Sequence, residues 1–278
     1  MPLNHPAGKH LAVCLTPDFD AHSVWIGTFE NHSPSLLSRG EFGAEVGVPR
    51  LLKLFAQHGI STTFCIPTHT MQTFRAATDA IMAAGHSIAA HGVYHERVPS
   101  LDPQEERRLM ELQIAQHEHL IGRRPRGYRS PAFDFSAATL GLLEEFDFVW
   151  DSSLMGRDFS PYHPRPVLSV DREAGNTFGP PSPVVEIPVT WFLDDFPALE
   201  TFPRGGAPGA TETVLQRWED HFDFAYHRGG DVVTIAVHPQ TIGRAHAFLM
   251  LEGFVEHVQR HDGAYFTGLD DVAAAYVA

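Results

Sequence analysis

The chain has 278 residues with 34 acidic and 20 basic side chains, a formal net charge of −14. A field of that sign excludes nucleic acid and anionic membranes as partners. The 43% hydrophobic and 19% charged composition is that of a globular chain, long enough to bury a large core without disulfides or a structural metal.

Met1–His10 holds no apolar signal core, and no run reaches the length of a membrane span, so a cytoplasmic protein is expected. Leu11–Thr16 (LAVCLT) reads as a first strand. Glu45–His58 reads as a helix with Val46, Leu52 and Phe55 among its spaced apolar positions, Pro49 near its start and Gly59 at its end. Thr62–Ile66 is a second strand and Met71–Ala84 a helix stopped by Gly85. Ser87–Ala90 is a third strand, and Pro103–Ile121 a long charged helix. Gly127–Ser130 is strand-like, Ser136–Phe146 a helix with Ser136 as N-cap, and Val149–Ser152 strand-like again. Val184–Pro188 is a strand, Thr211–Arg228 a helix, and Val232–His238 a strongly apolar strand. Ile242–His261 is a helix, broken at most locally at Gly253. Tyr265–Thr267 is a last strand before a terminal helix from Asp270. Cys14 and Cys65 fall in apolar strands and are expected as buried, reduced thiols.

This strand–helix rhythm, about seven or eight repeats long, implies a parallel α/β sheet but does not choose between a barrel and an open sheet. Residues 1–278 read as one domain, because no composition shift divides them. Two long segments rich in Ser, Pro, Gly and His, Ala21–Gly43 and Phe159–Pro183, break the rhythm. They are expected to be loops over a site or oligomer contacts.

Ionisable groups gather where the predicted strands end, and in a parallel α/β fold ligands bind there. The first strand ends in Asp18-Phe19-Asp20, a turn or cap by its commoner use, or else a metal ligand with a neighbouring base. His91 and His95 are four apart, a spacing that on a helical turn aims both imidazoles at one point. Two His and one Asp leave positions open for water, as a catalytic metal requires. Arg129 ends the fourth strand, Asp151 lies in the fifth, and His238 closes the late apolar one. His238 reads as a core histidine or a general acid, Arg129 as a strand-end cation or the partner of a catalytic carboxylate. Asp151 reads as a cap or as the group that orients His238.

Together these residues resemble the NodB-homology polysaccharide deacetylases (carbohydrate esterase family four), whose five motifs have counterparts here in order: TPDFDA, HGVYH, RSPAF, the segment from Asp151, and TIAVHP. The resemblance implies a distorted (β/α)7 barrel. It also implies a divalent metal, zinc first, with cobalt, manganese or nickel as alternatives, on Asp20, His91 and His95. Asp18 would be the base, Arg129 its tether, His238 the acid and Asp151 its support, with a backbone N–H near Ala132 in an oxyanion hole. Three departures stand out. Phe19 separates the paired aspartates, Gly92 follows the first His where Ser or Thr is usual, and the aromatic of the third motif is displaced to Phe133. These changes look like a branch that contains peptidoglycan-deacetylase-like, allantoinase-type and cyclic imide-hydrolysing proteins. That branch is similar over nearly the whole chain, and its members are often homotetramers.

The implied activity is hydrolysis of a non-peptide C–N bond in an N-acetyl sugar. The alternatives are ring opening of a cyclic imide or ureide, and a non-catalytic sugar- or partner-binding barrel. Glu45, Ala132, Phe133 and Trp191 are the expected substrate contacts. Asp194 and Asp195 are expected on the pocket rim beside Trp191.

Overall fold

A computed structural model of the chain describes residues 3–200 and 209–276. Strand β1 (Leu11–Pro17) is buried at every position. It is followed by helices α1 (Ser23–Ile26) and α2 (Pro34–Phe42) and, through a π turn at Gly43–Gly47, by α3 (Val48–His58). Pro34 and Pro49 lie in first turns, where the missing N–H has no helical partner to lose. Strand β2 (Thr63–Ile66) leads to α4 (Thr68–Thr73) and α5 (Arg75–Ala83). Strand β3 (Ser87–Ala90) leads to α6 (Pro103–Ile121), and β4 (Gly127–Tyr128) to α7 (Thr139–Glu145). Strand β5 (Trp150–Asp151) precedes an antiparallel hairpin of β6 (Val167–Ser169) and β7 (Thr177–Phe178). Strand β8 (Val185–Glu186) precedes α8 (Asp195–Leu199) and α9 (Thr211–Arg228). The chain closes with β9 (Val232–Val237), α10 (Pro239–Ile242), α11 (Ala245–Gln259), β10 (Ala264–Phe266) and α12 (Leu269–Ala275).

Parallel ladders join β10-β1-β9 and β2-β3-β4-β5-β8. A single parallel bridge, Asp18 with Cys65, connects the sheets, and a second, Asp194 with Ala236, sets the segment after β8 beside β9. At the first seam the Thr62 hydroxyl also donates to the Leu15 carbonyl (2.7 Å). The strands β1, β2, β3, β4, β5, β8 and β9 follow one another in the order of a distorted seven-stranded barrel, with no ladder between β8 and β9 among the described residues and with β10 beside the N-terminal half of β1. Its ladders shrink to two residues at β4 and β5, where a Cβ on Gly127 would lie 1.9 Å from the Trp150 ring. Only glycine lets the backbone pass that close.

The largest core packs β1 and β9 against α3, α9 and α11, with Phe55, Trp218, Phe222 and Phe254 essentially inaccessible. Each such aromatic contributes on the order of 2–3 kcal/mol by burial. Cys14 and Cys65 are buried free thiols, and burial pushes both well above the usual thiol range. No helix among the described residues is long and apolar enough to cross a membrane.

Several boundaries differ from the expectation. Residues 21–43 hold α1 and α2 rather than a loop, and 159–183 hold the exposed hairpin. Ser136 is not an N-cap. Helix α7 starts three residues later, and the Ser136 hydroxyl accepts from the Ala138 N–H (2.8 Å) in a local turn. The segment 71–84 is two helices broken at Phe74. The last long helix breaks at Gly243, not Gly253. A Cβ on Gly243 would meet the Pro239 carbonyl at 2.4 Å and the Gly47 backbone at 2.7 Å, so close packing sets the break.

Candidate metal and acid–base centre

Extended backbone past β1 turns successive side chains to opposite sides. Phe19 therefore enters the core while Asp18 and Asp20 face one pocket. That alternation is the physical reason a residue can separate the two carboxylates. Asp18 Oδ1 accepts from Arg129 Nη1 (2.6 Å). The fully buried guanidinium also donates to the Thr16 hydroxyl (2.8 Å), the Ser152 carbonyl (2.9 Å) and the Ser152 hydroxyl (3.0 Å). Burial works against its charge, but the Asp18 carboxylate prevails and keeps Arg129 above its ordinary range.

His91 and His95 do not share a helical turn. They lie in an irregular loop after β3, with Gly92 (φ 75°) and His95 (φ 60°) both left-handed. The buried Glu96 carboxylate replaces helical bonding by accepting the N–H groups of Val93 (3.0 Å) and Tyr94 (3.0 Å), while Gln113 accepts that of Gly92 (2.9 Å). A Cβ on Gly92 would meet the Glu96 carboxylate at 2.9 Å, so glycine here follows from the way Glu96 folds the loop.

His91 Nδ1 donates to the Arg129 carbonyl (2.7 Å), and His95 Nδ1 pairs with the Thr28 hydroxyl (2.6 Å). Both Nε2 atoms thus face Asp20 Oδ1, at 3.3 and 3.8 Å. Both Asp20 oxygens and His91 Nε2 are buried without a hydrogen-bond partner in the chain. Buried polar atoms are rarely left so, and Asp20, His91 and His95 each offer one ligand atom, all within 4.8 Å of one another. These donors fit a divalent transition cation. Burial opposes the charge on Asp20, yet the surrounding imidazoles bring it down to about 2. His95 is pushed down to about 4, chiefly by burial, which leaves it the neutral imidazole a ligand must be. Burial alone would lower His91, but the Asp20 and Asp18 carboxylates beside its Nε2 raise it above its usual value; a bound cation would take the place of that proton.

His238, after β9, aims Nε2 at Asp20 Oδ2 (3.7 Å). Its Nδ1 donates to Asp195 Oδ1 (2.7 Å), which also accepts its backbone N–H (2.9 Å), and Asp194 Oδ1 lies 3.4 Å away. Burial lowers the His238 pKa, but the two carboxylates raise it well above the ordinary value. Burial, with Asp195 beside it, lifts Asp194 to about 7.

Asp151 does not touch His238. Its partner in register on the adjacent strand is Glu186, and it accepts from the Ser153 hydroxyl (2.8 Å). Burial raises Asp151 to about 6 and Glu186 well above the carboxylate range. His238 sits across the barrel, where the Asp194–Ala236 bridge brings the other acid pair to it. Asp195 was thus visible in the sequence only as a rim residue, and Thr28, Glu96 and Glu186 carried no signal that singled them out.

The pocket over these groups encloses about 430 Å³ and is walled by Phe29, Phe133, Trp191 and Phe196. Ala132 (φ 55°) and Phe133 (φ 54°) are left-handed in succession, which turns the backbone of the RSPAF segment along the pocket. Trp191 is 43% exposed and packs on Phe133 (ring centroids 4.8 Å apart). Glu45 is outside this pocket. It lies exposed in the π turn, on the face away from the packed Gly43 and Gly47.

Residues 22–149 match the family model described as polysaccharide deacetylase. The chain is 32% identical to a peptidoglycan deacetylase of Helicobacter pylori, over 95% of this chain and 96% of that one. It is 35% identical to a peptidoglycan deacetylase-like protein of Gibberella zeae, over 92% and 83%. Among solved structures, one from Mycobacterium smegmatis bearing a polysaccharide deacetylase name is 30% identical and superposes with a TM-score of 0.84, over 98% of this chain and 92% of that one. The Puue allantoinase shares the fold at 24% identity and TM-score 0.81, over 99% and 93%. With its core strands, a buried Asp–His–His triad and the ionisable groups around it in one place, and similarity running nearly end to end, the chain belongs to the polysaccharide deacetylase family.

Proposed function

We propose that the chain is a metal-dependent hydrolase of the amide bond in N-acetylated sugars, working as one catalytic domain. The observation that carries this reading is the orphaned, buried set of Asp20 and His91 atoms, with the Arg129-held Asp18 on one side and His238 on the other. Asp20, His91 and His95 would hold the cation, zinc first among candidates. When bound, it supplies Lewis-acid activation of water and of the amide carbonyl.

The chain's own residues do the rest. Asp18 Oδ2 lies 4.0 Å from His91 Nε2, so a water in the pocket can reach a carboxylate whose other oxygen is fixed by Arg129. Asp18 takes the proton from that water during attack. The Ala132 backbone N–H helps stabilise the oxyanion. His238, oriented by Asp195, gives its Nε2 proton to the leaving nitrogen. The products are a free amine and acetate.

A second reading, ring opening of a small cyclic imide or ureide, is favoured by the pocket itself. About 430 Å³ between Phe29, Phe133, Trp191 and Phe196 suits a flat small molecule. A homo-oligomer is also proposed, on the exposed apolar residues of the hairpin, where Val167, Leu168, Val170 and Phe178 are 50–77% exposed.

The test is hydrolysis by metal-loaded and chelated protein, with Asp18→Asn as control. N-acetylated chito-oligosaccharides are scored for acetate, and cyclic imides and ureides for ring opening. Acetate release lost on chelation and in the variant supports deacetylation. Ring opening alone moves the protein to the second reading. No turnover by fully loaded protein on either set overturns both and leaves a binding barrel.

A further inference from the structure

Outside the pocket, another group of ligand-bearing side chains converges. Helices α9 and α11 pack together through Trp218, Phe222 and Phe254. On α9, Glu219 and Asp223 are four apart. His257 of α11 and His261 just beyond its end are also four apart, so each pair sits one above the other on its own face. Asp223 Oδ1 lies 2.7 Å from His257 Nε2 and 4.0 Å from His261 Nε2. The three ligand atoms fall within 4.8 Å of one another.

We propose that Asp223, His257 and His261 form a second site, for a divalent transition cation, that ties α9 to α11 on the outer surface.

The orientation of the rings carries the argument. His261 Nδ1 donates to the His257 carbonyl (2.9 Å), as His91 Nδ1 does to the Arg129 carbonyl, and this leaves the Nε2 lone pair facing Asp223. Glu219 Oε1 stands 3.4 Å behind His257 Nδ1, the outer carboxylate that orients metal-binding imidazoles. Arg260 also reaches this Nδ1 (3.1 Å), so a cation at Nε2 displaces the Nε2 proton and leaves Nδ1–H to Glu219 in place of Arg260. Phe222 presses on both rings at 5.4 and 5.0 Å and limits their rotation. The side chains are 14%, 21% and 43% exposed for His257, His261 and Asp223, so a hydrated ion can enter. Two imidazoles and one carboxylate select zinc, nickel, copper or cobalt over magnesium and calcium. The net charge of −14 draws cations to the surface.

The experiment is zinc equilibrium dialysis of the full chain with metal counted by mass spectrometry, on wild type, His261→Ala, Asp223→Asn, His91→Ala and the His91→Ala/His261→Ala pair. Asp223→Asn keeps an acceptor for His257, so it guards against a folding defect, and circular dichroism checks each variant. The expected result is about two equivalents for wild type and about one for His261→Ala, Asp223→Asn and His91→Ala. The double variant should hold none. Hydrolytic turnover should be unchanged in His261→Ala and Asp223→Asn. A single wild-type equivalent, lost in His91→Ala and kept in His261→Ala, overturns the site and leaves an ion pair. A single equivalent with the opposite dependence supports this site while removing the pocket metal, so the two readings fail separately.

Discussion

One carboxylate oxygen, Asp195 Oδ1, takes two hydrogen bonds from His238, one from the ring Nδ1 (2.7 Å) and one from the backbone N–H (2.9 Å). It fixes the tautomer, the ring plane and the charge preference of the proposed acid at once. His238 acts as an acid only while protonated, so its raised pKa sustains activity toward alkaline pH. Asp195→Asn removes the charge and should move the alkaline limb of the kcat profile to lower pH. Turnover at its optimum should fall on the order of 10²-fold, within the range for general acids. Steady-state rates across pH with metal saturating check this. An alkaline limb that stays in place would show that His238 is not the titrating acid.

Thr28 holds the outer nitrogen of His95 at 2.6 Å and also donates to the His95 carbonyl (3.1 Å). Valine has the same shape and no hydroxyl. Thr28→Val should weaken zinc binding about 10–100-fold while leaving the rate of fully loaded protein near wild type. Competition against a zinc-sensitive dye gives the affinity. A loss of rate at saturating metal with unchanged affinity would reassign Thr28 to the substrate.

Much of this site was legible because strand ends are legible. Asp18, Asp20, His91, Arg129 and His238 all lie at or just beyond an apolar run, and a parallel barrel brings such ends together. What stayed hidden depends on contacts between strands far apart in sequence. Asp195 reaches His238 because Asp194 bridges Ala236 and sets the segment after β8 beside β9, while Asp151 is drawn to Glu186 by strand register. The spacing of His91 and His95 suggested a helical turn, but Glu96 and Gln113 bond the loop instead. Ala21–Gly43 misled through its Ser, Pro and His content, although Ser33 and Pro34 were a helix start.

Gly92 stands where Ser or Thr is usual in this family, and its φ of 75° faces the Glu96 carboxylate. Gly92→Ser imposes both a left-handed serine and a 2.9 Å approach to that carboxylate. The substitution should cost about 1–2 kcal/mol of folding stability and weaken metal binding through His91 and His95. Urea denaturation of metal-free and zinc-loaded protein separates the two effects. Stability equal to wild type in both the metal-free and the zinc-loaded state would mean the loop tolerates serine.

Asp151 and Glu186 lie side by side, fully buried. Glu186 accepts the N–H groups of Ser153 (3.0 Å) and Leu154 (2.8 Å), and the Ser152 that follows Asp151 holds Arg129. With Asp151 raised to about 6 by burial, its protonated form in the folded chain adds stability that is complete below pH about 4. That contribution fades as pH rises through about 6. Asp151→Asn is blind to this change, so wild type should lose on the order of 2–3 kcal/mol relative to the variant between pH 4 and neutrality. Glu186→Gln keeps an acceptor for both N–H groups and a donor for Asp151, and should stay within about 1 kcal/mol of wild type. Glu186→Ala leaves those partners unpaired and should cost about 3 kcal/mol or more. Chemical denaturation at several pH values measures all three. A wild-type and Asp151→Asn difference that is flat across this range would mean the two carboxyls do not hold a proton between them.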